Sequence, residues 1–111
     1  MALYTVQAIT ATGTTPSVIT PTASDTISAA DLGSRGVVLR VITTGTATNV
    51  QIVDPTLTDL GNAYTPVPVA APATGVRMIF VSPLAVNPST GVATVTFSGA
   101  LTGVSVEAYR Y

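Results

Sequence analysis

The sequence predicts an all-β fold, a single jelly-roll-like β-sandwich of about seven or eight short antiparallel strands. Two observations carry this prediction. Short runs of aliphatic and β-branched residues alternate at the two-residue period of a strand, and segments with Gly, Pro, Asn or Asp separate these runs. No run has the apolar spacing of a helix longer than one turn. We therefore treat residues 1–111 as one domain.

The clearest strand covers residues 37–42. Val37, Leu39 and Val41 share one face, and we expect that face to point into the core. Arg40 lies on the opposite face, where we expect it to be exposed. The residues that we expect to meet the inner face from the facing sheet are Val95, Phe97, Met78 and Phe80.

A polar link containing Gly45 follows this strand, and residues 50–54 then alternate again. Two alternating runs joined in this way predict a β-hairpin, which we take as the centre of the fold. Further strands are predicted at residues 65–70, where two prolines favour an edge strand, and at residues 76–81, 92–97 and 104–110.

The first thirty residues are harder to assign. Residues 2–9 alternate as a first strand, and residues 10–30 are rich in Thr, Ser, Ala and Pro, which favours an extended arm or an edge strand. We expect residues 10–30 to contribute little to the core, so that deletion of residues 1–15 leaves the fold mostly intact. For residues 25–28 two structures stay open: a short strand, or Asp25 as the cap of a helical turn.

Composition narrows the possible functions. The chain has no Cys, His, Lys or Trp, so it lacks thiolate and imidazole metal ligands and the usual general base. Only 8% of residues are charged and the net charge is −1, which argues against a nucleic-acid partner. No apolar run is long enough for a membrane helix, and the first residues lack the basic start of a secretory signal. We expect a non-enzymatic protein without cofactor or metal, whose apolar surface lies against a partner.

The loop at residues 54–62 holds the best candidate for a metal site. Asp54 and Asp59 are followed closely by Asn62, and several oxygens on one loop suit Ca²⁺. The spacing matches no EF-hand, however, and Asp beside Pro and Gly is typical of turns. We favour turns, and we also reject a glycosidase pair of carboxylates because the loop offers no aromatic platform for a sugar.

The four arginines are scattered along the chain, which is too little charge for a polyanion site. Arg is favoured at protein interfaces, and we expect some of these arginines to pair with Asp or Glu across one. The tyrosines near the end of the chain either shield an edge strand or contact another subunit. The predicted interface residues are Arg35, Arg77, Tyr109, Arg110 and Tyr111.

The order of these features resembles the small β-rich structural proteins of tailed bacteriophages, some of which look like head decoration (cement) proteins. The resemblance covers about residues 30–111. The segments that carry it are residues 33–36 (GSRG), 37–42 (VVLRVI), 50–55 (VQIVDP), 67–69 (VPV), 75–79 (GVRMI), 91–97 (GVATVTF) and 104–108 (VSVEA).

This resemblance implies a compact sandwich that sits on a capsid lattice as a symmetric oligomer, without catalysis. The leading hypothesis is therefore a structural virion protein, made in the host cytoplasm and placed on the capsid surface. It would bind the assembled major capsid protein and most readily form a trimer. The alternative is a carbohydrate- or ligand-binding module of a phage tail or head fibre, against which the absence of Trp and the 5% aromatic content count.

Overall fold

The computed structural model describes residues 2–57, 59–63 and 68–110. It confirms the all-β sandwich: two four-stranded sheets pack together around one core. The strands are β1 Gln7–Ala8, β2 Ser24–Ser28, β3 Val37–Thr44, β4 Thr48–Ile52, β5 Val69–Ala71, β6 Thr74–Val81, β7 Val92–Ser98 and β8 Val104–Arg110.

The strands follow a jelly-roll order. The first sheet runs β1-β8-β3-β6 and the second runs β2-β7-β4-β5. The expectation of purely antiparallel strands is wrong at β1, because its two residues pair in parallel with β8. Ile19 also pairs with β8, through an isolated antiparallel bridge to Val106.

The predicted hairpin of β3 and β4 is wrong. β3 lies between β6 and β8 in the first sheet, whereas β4 lies between β5 and β7 in the second. The link at residues 45–47 therefore crosses from one sheet to the other. Gly45 donates its N–H to the carbonyl of Ala73 at 2.6 Å, in the turn that joins β5 to β6.

The inner face of β3 is confirmed, because Val37, Leu39 and Val41 are fully buried. Val95 and Phe97 belong to the same buried cluster, as predicted. The other residues of this cluster include Ile27, Leu32, Val50, Ile79, Val81, Val104 and Val106.

The predicted inner face of β6 is wrong. β6 lies beside β3 in the same sheet, with Ile79 opposite Leu39. Because side chains alternate along a strand, this register sends Ile79 into the core and turns Met78 and Phe80 outward.

The first thirty residues form edges of both sheets. β2 is an edge strand paired with β7, and the backbone groups of Ala2 and Tyr4 in turn bond to Thr26 of β2. Ile27 is fully buried in the core, so the expectation that residues 10–30 contribute little to it is wrong there.

Residues 25–28 are a strand that leads directly into one helical turn, α1 Ala29–Leu32. Ser28, and not Asp25, caps this turn by accepting a hydrogen bond from the N–H of Ala30. A second short helix, of the 3-10 type, covers Pro83–Ala85. Within residues 2–57, 59–63 and 68–110 no helix has the length and apolar character needed to cross a membrane.

Candidate interaction surface

The outer face of the first sheet is built by three neighbouring strands. The register of β8, β3 and β6 places their outward side chains in rows across the sheet. We call these side chains the outer face: Tyr109, Val38 and Phe80 in one row, Glu107, Arg40 and Met78 in the next, and Ser105, Ile42 and Val76 in the third.

The apolar part of the outer face is concentrated on β6. Val76, Met78 and Phe80 are exposed over 45%, 58% and 55% of their surface. Val38 and Ile42 of β3 lie beside them and are half-buried. Large apolar side chains grouped in this way, unlike single exposed ones, are typical of a surface that contacts a partner.

A charged group interrupts this apolar surface in the middle row. Oε1 of Glu107 accepts hydrogen bonds from the Tyr109 hydroxyl at 2.6 Å and from Nη1 of Arg40 at 3.0 Å. The bond from Tyr109, helped by Arg40 and opposed by burial, holds the pKa of Glu107 below its usual value. Burial and the neighbouring Glu107 raise the pKa of Tyr109. The group is thus a neutralised ion pair at neutral pH, and it adds little net charge to the outer face.

An apolar groove continues the outer face at the Val81 end of β6. We call it the end groove; it encloses about 380 Å³, and Phe80 belongs to both surfaces. Leu84, which is 85% exposed, projects from the short helix at its edge. The residues lining the end groove are Ile52, Val53, Asp54, Thr56, Phe80, Ser82, Leu84 and Ala85.

A second concavity brings two of the predicted interface residues together. Arg35 and Arg110 both line a depression of about 270 Å³ around α1 and the turn that follows it. Nη1 of Arg110 lies 3.4 Å from Oδ1 of Asp31. Arg40 and Arg110 thus pair with acidic residues within the chain, and the expectation that some arginines pair across an interface stays a prediction.

Two other predicted interface residues, Tyr109 and Arg77, do not line this depression. Tyr109 belongs to the outer face through its bond to Glu107. Arg77 lies on β6 opposite Val41 and is exposed. Tyr111 lies outside the described residues. The four described residues therefore do not form one site.

The loop after β4 is held by hydrogen bonds from Thr56 to the side chain of Asp54. Oδ1 of Asp54 accepts hydrogen bonds from the Thr56 hydroxyl at 2.6 Å and from its N–H at 2.9 Å. These bonds hold the pKa of Asp54 below its usual value. Asp59 is exposed in the same loop. In the part of the chain that the structure describes, no three residues of the types His, Cys, Asp and Glu come together as metal ligands would.

Sequence reasoning missed the outer face of β6 and the end groove. The run from Val76 to Val81 is apolar on both faces, so its alternation does not indicate which face points into the core. Arg77 is its one charged residue, yet it lies on the same side of the strand as the buried Ile79. The available signal was Leu84, a large apolar residue beside Pro83 in the segment between the predicted strands at residues 76–81 and 92–97.

No protein-family model, curated protein or solved structure matches the chain.

Proposed function

We propose that this protein is a non-enzymatic structural protein of a tailed-bacteriophage virion, which decorates or stabilises the capsid by binding the assembled lattice of the major capsid protein. The observation that carries the proposal is the continuous apolar surface formed by β6 of the outer face and by the end groove. Met78, Phe80 and Leu84 are each more than half exposed on this surface. Because only 8% of the residues are charged, the chain has few charges that would prevent such a surface from associating with other proteins.

The groove and the face suit a flat, repeated partner. The core of a protein interface is apolar and poor in charge, and the rim is polar. Here the apolar centre lies on Phe80 and Leu84, while Asp54, Thr56 and Ser82 line the same groove as polar groups. The neutralised Arg40–Glu107 pair adds hydrogen-bonding groups beside the apolar strip without net charge.

A protein that binds only the assembled lattice stabilises that lattice by mass action. Many weak contacts repeated over a capsid add up to firm attachment, so a single apolar patch on each subunit is sufficient. The identification of the lattice with a phage capsid depends on the sequence resemblance described above. The jelly roll itself is common to viral capsid proteins and lectins, and is an analogy only.

The end groove also favours a second candidate, the ligand-binding module of a phage fibre. One aromatic ring, Phe80, lies in the same groove as the carboxylate of Asp54 and the hydroxyls of Thr56 and Ser82. An apolar wall with a few polar groups is the usual composition of a small-molecule site. The Oδ1 atom of Asp54 already accepts two hydrogen bonds from Thr56, which leaves fewer acceptor atoms for a sugar.

The test uses purified virions of the bacteriophage that encodes this protein. We expect mass spectrometry to find the chain in intact virions, and we expect added protein to co-sediment with particles but not with unassembled capsid protein. Absence from virions together with failure to bind assembled particles would contradict the proposal. Retention on a glycan array, with no binding to particles, would favour the fibre module.

A further inference from the structure

The two sheets of this fold have four edge strands, and three of them are protected. β1 has only two residues. β2 is covered by the backbone of Ala2 and Tyr4. β5 has three residues and lies between Pro68 and Pro72. Short strands, prolines and covering segments are the means by which proteins prevent edge-to-edge pairing.

The fourth edge, β6, has none of these protections in the part of the chain that the structure describes. It is eight residues long, contains no proline and pairs with β3 alone. Its single charged residue is Arg77. A long, apolar edge strand of this kind presents unpaired N–H and C=O groups to another strand.

We propose that β6 pairs antiparallel with β6 of a second copy of this chain, about a two-fold axis at Met78, and joins the two first sheets into one continuous sheet. A two-fold interface uses the same surface on both copies, so each contact occurs twice. With the axis at Met78, Val76 of one copy lies opposite Phe80 of the partner subunit. The apolar strips of the two outer faces then become one surface.

Charge favours a second copy of the chain as the occupant of this edge and excludes one register. An axis at Arg77 would place two guanidinium groups directly opposite each other, which is unfavourable. The axis at Met78 instead places Arg77 opposite the partner's Ile79, two residues nearer the end of β6 beside which Asp54 lines the end groove. Arg77 has no carboxylate partner among the described residues, and Asp54 has one carboxylate oxygen that accepts no described hydrogen bond. We therefore expect the partner's Asp54, which Thr56 holds in its charged form, to approach Arg77 once on each side of the axis.

This pairing does not depend on capsid binding, and its test uses the protein alone. The chain has no Cys, so Met78→Cys introduces a single thiol. Opposite residues of an antiparallel pair lie about 4.5–5.5 Å apart between Cα atoms, within the range that a disulfide bridges. We expect Met78→Cys to form a covalent dimer under mild oxidation. The matched control is Val18→Cys, at an exposed residue next to the opposite edge of the sheet; it should form at least about tenfold less dimer.

Sedimentation of the unmodified protein supplies the second measurement. We expect a dimer, and we expect Met78→Lys to weaken it by about tenfold or more, since two like charges then face each other. Val18→Lys should leave it unchanged. Arg77→Glu should weaken the dimer, and adding Asp54→Lys to that variant should restore it.

A monomer at the highest soluble concentration would overturn the proposal, as would a trimer, which the sequence resemblance implies. So would Met78→Cys crosslinking no better than Val18→Cys. Occupation of this edge by a strand of the capsid protein, with the free protein monomeric, would also overturn it.

Discussion

The hydroxyl of Tyr4 donates a 2.8 Å hydrogen bond to Oδ2 of Asp25, and both side chains are buried. Asp25 also accepts hydrogen bonds from the N–H of Ala2 and from the N–H and hydroxyl of Thr22. A buried carboxylate is stable only when it is satisfied in this way. The relationship fixes the start of the chain onto β2 and closes that edge of the second sheet.

Loss of the Tyr4 hydroxyl should therefore destabilise the fold. A hydrogen bond to a charged group contributes about 1.5–3 kcal/mol, and we expect Tyr4→Phe to lower the free energy of unfolding by that amount. Deletion of residues 1–15 removes Tyr4 from the core and should lower it much further, contrary to the expectation from sequence. Urea unfolding measures both. A deletion variant as stable as the full chain would show that this contact is dispensable.

The same carboxylate makes stability depend on pH. Burial alone raises the pKa of Asp25, but the hydrogen bonds from Thr22, Tyr4 and Ala2 outweigh it, and the folded pKa lies below the usual 3.8. As pH falls below about 4, the unfolded chain binds a proton before the folded one does. The contribution of Asp25 is thus complete above that pH and is lost as pH falls through the folded pKa.

We expect the difference in unfolding free energy between the wild type and Asp25→Asn to be largest at neutral pH and to shrink below about pH 4. Asp54 and Glu107 also have lowered pKa values, but they are present in both proteins and cancel in the difference. A difference that stays constant between neutral pH and about pH 3 would contradict this assignment.

The central strand provides a test of the sheet register. Leu39 is fully buried, and Leu39→Ala should cost about 2–5 kcal/mol through lost burial and a residual cavity. Arg40→Ala removes one of two partners of the buried Glu107, and should cost about 1–3 kcal/mol, more than the sequence alone suggests. Thermal or urea unfolding compares them. A larger loss of unfolding free energy for Arg40→Ala than for Leu39→Ala would mean that the face of β3 with Arg40 points into the core.

Gly36 gives a test of the turn before β3. Its φ is +83°, and an added Cβ would lie 2.8 Å from two ring atoms of Phe80 and also against the carbonyl of Val81. Gly36→Ala should therefore lower stability by about 1–3 kcal/mol or more, because backbone strain and a steric clash combine. Gly91→Ala is the matched control, since φ is +73° there but no atom lies within 4 Å. Equal losses in both variants would show that Phe80 does not pack on Gly36.

The sequence predicted the elements with the strongest contrast between faces. In β3, Val37, Leu39 and Val41 share one face, and the single charge of Arg40 on the other face correctly gives the inner face. β6 has apolar residues on both faces. Which face points into the core therefore depends on its pairing with β3, which is a tertiary property. The link after β3 has the composition of a hairpin turn, and composition does not distinguish a turn within a sheet from a crossing between sheets.

Contacts between residues distant in sequence were less predictable for the same reason. The Tyr4–Asp25 hydrogen bond in the core joins residues 21 positions apart. The end groove joins β4, β6 and the short helix, which only the folded chain brings together. Arg and Tyr are common interface residues in general, but here Arg40, Arg110 and Tyr109 bond to neighbours within the chain.

Binding of surface variants to purified capsid particles tests the central claim most directly, namely that the apolar outer face and end groove contact the lattice. Leu84 is 85% exposed, so Leu84→Glu places a charge in the groove with little effect on folding. We expect it to weaken particle binding by about tenfold or more, while Val18→Glu and Arg35→Gln bind like the wild type. Wild-type binding by Leu84→Glu, with loss of binding by Arg35→Gln, would contradict the claim and place the contact at the depression around α1.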